Sequence, residues 1–198
     1  MKKGEPHPST KLYQEFILQA FSELVLEKDF SDITITEICT RAQISRRTFY
    51  RHFDRKKAIV ECYTLQLMGT LADTLAAPLQ ADDLFTFVKS FFSFLEPYTV
   101  YIQAFTKNGF GDLVFTCYLK CLIPLFGMVS ATADPRPSVS SKKECLLAYT
   151  LGGLWSLFSY WMSHGCIQTP DELADIVAAI VSASDQSARV NTASEGFR

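Results

Sequence analysis

The sequence predicts an all-α fold, with a small N-terminal helical domain ahead of a larger helical one, on three observations. Apolar residues recur at three- and four-residue spacing, and no strong run of strict alternation bounded by hairpin turns appears. Helix-start signatures recur along the chain, with Thr34 three residues before Glu37, Ser141 before Glu144 and Thr169-Pro170 before Glu172. In 198 residues the composition is 48% hydrophobic with 16 Phe, enough apolar material for a packed core and too much for a disordered chain.

The first helix is expected over 10–27, where Leu12, Phe16, Ile17, Ala20, Phe21, Leu24 and Val25 form one stripe for burial. A loop over 28–32 follows, with Phe30 folding back into the core. Thr34 caps a second helix whose inner face is Ile35, Ile38 and Ala42. Ser45 caps a third over 46–52, in which Phe49, four residues before Phe53, faces inward with it. Asp54 is the expected cap of a fourth helix over 55–77, ended before Pro78. Further helical segments are expected over 82–95, 98–105, 110–130, 141–163 and 170–184. Asp82 and Asp83 suit a helix start, Pro97 separates two segments, and Pro124 should kink or break the third. The stretch 131–140 reads as an exposed loop, and 187–198 as a frayed tail.

Charge divides the chain. Residues 1–60 carry 11 Lys/Arg against 8 Asp/Glu, although the whole is at −2. From Arg41 to Lys57 seven cations face one acid, Asp54. Only the N-terminal third is suited to meeting phosphate. The expected organisation is therefore 1–57 as a DNA-binding domain with an N-terminal extension, 58–186 as a regulatory and dimerisation domain, and 187–198 as a tail.

The second and third helices have helix-turn-helix proportions, in which the second of the pair enters a major groove. Arg46 and Arg47 open the reading helix, where a guanidinium can grip guanine with two hydrogen bonds. Thr34, Thr36, Ser45, Thr48 and Tyr50 offer hydroxyls to phosphate, with Arg51 and His52 adding donors at the far end. Lys56 stands at the opening of the next helix, where amide dipoles and a cation together suit one phosphate.

With those positions in view, residues 30–60 resemble the DNA-binding domain of the TetR family of transcriptional regulators. The resemblance rests on Thr34, Glu37-Ile38, Ala42, Ser45, Thr48, Tyr50, His52-Phe53 and Lys56, and with the first helix it covers about the first 65 residues. Gln43 departs from it, standing where the family usually has Gly after the Ala that ends the helix. The resemblance implies a cytoplasmic homodimer bound to a palindromic operator, a repressor more than an activator, with helix 4 leading into a dimerisation domain that often holds an inducer. More weakly, the sequence over 152–177 is similar to the C-terminal type of dihydroxyacetone kinase regulator relatives, without implying that substrate.

The two late apolar helices suit an intersubunit four-helix bundle. An apolar or amphipathic small inducer would find walls in an aromatic-rich C-terminal region, the candidates being Tyr101, Gln103, Tyr118, Tyr149 and Trp155. The alternative is a helical regulator or coactivator controlled by a protein partner. No enzyme is expected, since no nucleophile elbow, phosphate loop or metal-ligand cluster appears. No cofactor and no metal are expected: the six cysteines form no CxxC pair, and Cys117 and Cys121, one turn apart, lack a suitably spaced third ligand. The start MKKGEPHPST has no apolar run of the kind a signal peptide needs. The uncharged stretch 145–170 has the length of a membrane span, but Gly152-Gly153, its hydroxyl residues and the preceding cap favour a helix at a subunit interface.

Overall fold

A computed structural model describes residues 8–81, 83–130 and 137–195, with side chains over 11–81, 83–125 and 148–183. The elements are α1 (Pro8–Glu27), a 3-10 turn (Phe30–Asp32), α2 (Ile35–Arg41), α3 (Arg46–His52), α4 (Lys56–Gln80), α5 (Leu84–Leu95), a second 3-10 turn (Glu96–Tyr98), α6 (Thr99–Phe105), a π turn (Thr106–Phe110), α7 (Gly111–Ser130), α8 (Pro137–Ser163) and α9 (Pro170–Glu195). No strand occurs among the described residues. They form two compact units, Met1–Gly69 with Tyr98–Cys121 and Thr70–Pro97 with Leu122–Arg198.

The first unit is built around α1. Ile17, Leu18, Ala20, Phe21, Leu24 and Val25 are buried there, as the three/four spacing requires. Leu12 and Phe16, expected in the same stripe, are instead 47% and 41% exposed. Phe16 instead lines an open groove with Tyr13, Ala42, Gln43 and Ile44 beside the turn between α2 and α3. Phe21 sits at the centre, edge-on to Phe30 at 6.0 Å and stacked on Phe105 of α6 at 6.1 Å. Ile38, Cys39, Phe49, Phe53, Ile59 and Val60 complete the core around the helix pair. The phenol of Tyr63 is pushed above its ordinary value by burial, with Tyr101 and Tyr98 nearby.

In the second unit α5 is the central element, with Phe87, Val88, Phe91, Phe92 and Leu95 all buried. Asp83 caps it, its Oδ1 accepting from the Thr86 N–H at 2.9 Å. Phe92 meets Trp161 of α8 edge to face at 5.4 Å, and the Trp161 indole N–H donates to the Gln168 carbonyl at 2.9 Å. Lys89 of α5 pairs with Asp171 of α9 at 2.6 Å. The Thr169–Glu172 capping box forms as the sequence suggests, with Glu172 N donating to Thr169 Oγ1 at 3.2 Å and Thr169 N to Glu172 Oε2 at 2.8 Å.

Several boundaries differ from expectation. α4 begins at Lys56 and runs through Pro78 to Gln80, and α7 runs through Pro124. A helical proline removes one N–H bond, and near a surface water can satisfy the freed carbonyl; Pro124 is exposed. α8 begins at Pro137, so Ser141 lies inside its backbone, and the side chains of the expected Ser141–Glu144 box fall outside the described residues. The expected loop over 131–140 is described only from Pro137, where it is already helical. α9 continues past Ser184 to Glu195, across most of the expected tail.

The turn between α2 and α3 is closed in the ordinary left-handed way despite lacking glycine. Gln43 has φ +53°, Ile44 N donates to Cys39 O at 3.0 Å, and Gln43 N donates to Thr40 O at 3.2 Å. A side chain in that region carries strain that glycine avoids. Gln43→Gly is therefore expected to stabilise the protein by about 0.5–1 kcal/mol after its own unfolded-state entropy is counted. Urea denaturation measures this, and a lower midpoint would mean that the Gln43 side chain makes compensating contacts.

Candidate nucleic-acid interface

α2 and α3 are seven residues each, too short to hold themselves in water, so their caps and their inward residues carry them. Thr34 Oγ1 accepts from Glu37 N at 3.2 Å, and Glu37 Oε2 accepts from Thr34 N and from its hydroxyl, each at 2.8 Å. This is the reciprocal box expected from the sequence. Lys28 pairs with Glu37 on the same carboxylate. That ion pair and the two Thr34 bonds hold Glu37 down at about 2, so the cap stays ionised through the physiological range. Ser45 Oγ accepts from Thr48 N at 3.0 Å and shares a hydroxyl contact with Thr48 Oγ1 at 3.0 Å.

Beneath these caps Phe49 is fully buried, edge-on to Tyr50 at 5.4 Å and tilted against Phe53 at 6.1 Å. That packing turns the opposite side of α3 outward. Arg46, Arg47, Tyr50 and Arg51 are all exposed. Arg46 and Arg47 make no ion pair among the described residues, so both guanidinium forks face solvent. Arg51 lies 5.9 Å from the ring of Tyr13 of α1, a position that braces the far end of α3. Thr36 is exposed beside the α2 start, and Thr48 is half-buried.

Three of the cations and donors singled out from sequence are placed differently. Arg41 is not available to a polyanion: its two terminal nitrogens grip Glu27 at 2.6 and 2.8 Å, tying α2 to α1. Lys56, expected at phosphate, points inward and donates to the carbonyls of Phe30 at 2.7 Å and Ile33 at 2.5 Å. His52, expected to offer a ring donor, is half-buried against Tyr13 at 5.9 Å, and its Nε2 is buried without a hydrogen-bond partner among the described residues. In each case the residue type was legible but its direction was not, because direction is set by helices distant in sequence.

Burial, and then the Arg51 cation, lowers His52 below its ordinary 6.5. The fold thus prefers the neutral ring. The stability this contributes is complete above pH 6.5, and declines with acidification through 6.5 until the folded state also takes up the proton. His52→Gln is expected to flatten that slope in thermal melts taken between about pH 7 and pH 5; an unchanged slope would assign it to other groups.

The five ligand-wall candidates are dispersed in character. Tyr101 is half-buried, tilted against Tyr63 at 5.7 Å, and Gln103 is half-buried on the same helix. Tyr118 is fully buried, with its phenol pushed up by desolvation. Trp155 is half-buried beside Phe158 at 5.7 Å. Tyr149 is 81% exposed and is a surface group, a correction to its place in a pocket wall. Four grooves of about 350, 320, 480 and 460 Å³ open on the first unit, and none of the five lines them. No group of three or more potential metal ligands occurs among the described residues, and no described helix is long and apolar enough to cross a membrane.

Comparison with known proteins bears on this interface directly. Residues 17–62, from mid-α1 to the start of α4, match the family described as bacterial regulatory proteins, tetR family. Over 74 residues, 37% of this chain, the sequence is 34% identical to the HTH-type transcriptional regulator AlkX of Mycobacterium tuberculosis, of which it covers 35%. Over 77 residues, 39% of the chain, it is 31% identical to the uncharacterized HTH-type transcriptional regulator YdeS of Bacillus subtilis, covering 36%. The alignments thus span about a third of the length of each relative. An all-α chain with a TetR-type helix-turn-helix at its N-terminus is what the fold and the matched segment define.

Proposed function

We propose that this chain is a sequence-specific DNA-binding regulator of the TetR type and not an enzyme. It acts as a homodimer, most simply as a cytoplasmic repressor whose operator affinity is relieved by a small ligand. The observation that carries the reading is the outward face of α3. Arg46 and Arg47 open a capped helix, exposed and without ion pairs among the described residues, within the segment that matches the family. Thr36, Ser45, Thr48 and Tyr50 stand around it as hydroxyl groups for the phosphate backbone, with Arg51 as a cation at its far end, whereas the Thr34 hydroxyl is spent on Glu37 in the cap.

Dimerisation is assigned to α8 and α9, as the sequence suggested. Tyr149, Gly153, Ser156 and Tyr160 form one exposed face of α8, and Ile176, Ile180 and Val181 are 43%, 61% and 43% exposed on α9. Apolar groups at that spacing favour burial against a second copy. The proposed domain division is a reading head over 1–57, a regulatory and dimerising domain over 58–186 and a terminal segment beyond. Two reading heads held by one dimer interface must match the spacing of two half-sites, so a ligand that altered α4 would change operator affinity.

Arg46→Ala and Arg47→Ala test the reading. Each is expected to weaken binding and to lose about 1–3 kcal/mol of discrimination at one base pair, measured by gel shift on a panel of single-base operator variants. If both variants kept wild-type affinity and preference, α3 would not be the reading element.

A further inference from the structure

We infer that Lys56 is a positioning residue of the reading head, the centre of a three-part joint with Phe30 and Phe110 that fixes the start of α2 against the α6–α7 junction. The inference rests on the DNA-binding reading for its purpose, but its geometry stands independently.

An ammonium group has three N–H donors. Lys56 Nζ lies 2.7 Å from Phe30 O, 2.5 Å from Ile33 O and 3.4 Å from Ser31 O. Two of these are close hydrogen bonds and the third oxygen flanks them, so the donors converge on one loop and not on solvent. The face of the Phe30 ring stands 4.5 Å from the same nitrogen. A phosphate would have to displace carbonyls to reach it. Burial accordingly lowers the Lys56 pKa, while Asp32 and Glu37 nearby oppose that shift.

The loop so held runs directly into Thr34, the cap of α2. Ile33 N donates to Phe30 O at 3.3 Å, and Ile38 N to Thr34 O at 3.1 Å. Whatever fixes Phe30 and Ile33 therefore fixes where the α2 N-terminus points. The remaining wall comes from far along the chain. Phe110 meets Phe30 edge to face at 4.8 Å. It is presented by the π turn, in which Asn108 and Gly109 leave helical geometry and Gly109 takes φ +80°. Asn108 Nδ2 donates to Ala104 O at 2.8 Å, and Thr106 Oγ1 donates to Ile102 O at 2.6 Å, so the bend is fastened to α6. The segment matched by the family ends at residue 62, but the frame that orients its α2 extends to Phe110. Displacement of the α6–α7 junction loosens the α2 start without any change in α4.

Amide hydrogen exchange on the full chain tests the joint. Lys56→Met keeps the aliphatic stem and removes the donors, and Phe110→Leu keeps apolar volume and removes the ring edge. Both variants are expected to exchange about tenfold faster over residues 33–38, with residues 154–162 unchanged. Wild-type exchange over 33–38 in either variant overturns the joint, as does loss of protection spread equally over both stretches. On a duplex selected by the wild type, Lys56→Met should lose about tenfold in affinity at every salt concentration. The slope of log affinity against log salt should stay as it is. A slope reduced by about 0.9, the share of one phosphate contact, would make Lys56 a phosphate ligand and overturn the assignment. If the wild type selects no duplex, the DNA-binding reading fails, and the exchange result still decides the joint.

Discussion

Phe49→Ala is expected to cost about 3–5 kcal/mol, a large share of the roughly 5–15 kcal/mol that holds an ordinary domain folded. The ring is fully buried and is gripped by Phe53 on one side and Tyr50 on the other. α3 has only two turns, so it has no stability of its own to fall back on. Its Ser45 cap supplies about 1 kcal/mol, less than the cavity would remove. DNA binding should vanish together with the α3 structure, and the urea midpoint should fall in parallel. A loss below about 1 kcal/mol would mean that the head relaxes around the cavity and that Phe49 is not its keystone.

Gly153→Leu is expected to turn the proposed dimer into a monomer while leaving the protomer folded. A Cβ built at Gly153 meets nothing within 4 Å, so the protomer has room for a side chain there. Inside α8, leucine also replaces glycine with a gain of about 0.8–1 kcal/mol in helix propensity. Any damage must therefore come from a partner that approaches the bare backbone. Exposed Tyr149 and Tyr160 lie on the same face, four residues before and seven after. A monomer binds one half-site at a time, so affinity for a full palindrome should drop by about 10²–10⁴-fold. Light scattering reads the mass and thermal melting the protomer stability. A variant that stayed dimeric would move the interface off this face of α8.

The parts of the fold legible in the sequence are those decided by near neighbours. Thr34 with Glu37, Ser45 with Thr48, and Thr169 with Glu172 make their bonds within three residues, so spacing alone foretold them. The inward Ile38, Phe49 and Phe53 followed from helical period in the same way. What spacing could not supply was direction at element ends. Lys56 and His52 sit at helix termini, where a side chain can turn to solvent or to core. The choice was made by Phe30 and Tyr13, 26 and 39 residues away. Arg41 carried the charge of a DNA contact, but Glu27 of α1, 14 residues before it, neutralises it. A signal did exist for Arg41, since Glu23 and Glu27 lie one turn apart on α1 and face a cation across the hairpin. Prolines misled in the opposite sense: Pro78 was expected to end a helix that continues to Gln80, and Pro124, expected to kink or break its helix, does not break it.

Gln43 illustrates how a departure from a family pattern is absorbed. The left-handed turn it occupies keeps both closing hydrogen bonds, so the hairpin geometry survives with a non-glycine residue. The strain is local and small compared with the packing of Phe49, which is why the turn persists.

The central claim, that α3 reads DNA from a dimeric scaffold, is tested most directly by selecting duplexes from a random library with the full wild-type chain. Enrichment of a two-fold symmetric sequence is expected, with preference at particular base pairs lost when Arg46 and Arg47 are both replaced by alanine. A library that emerges unenriched, or one enriched identically by the wild type and the double variant, would contradict it.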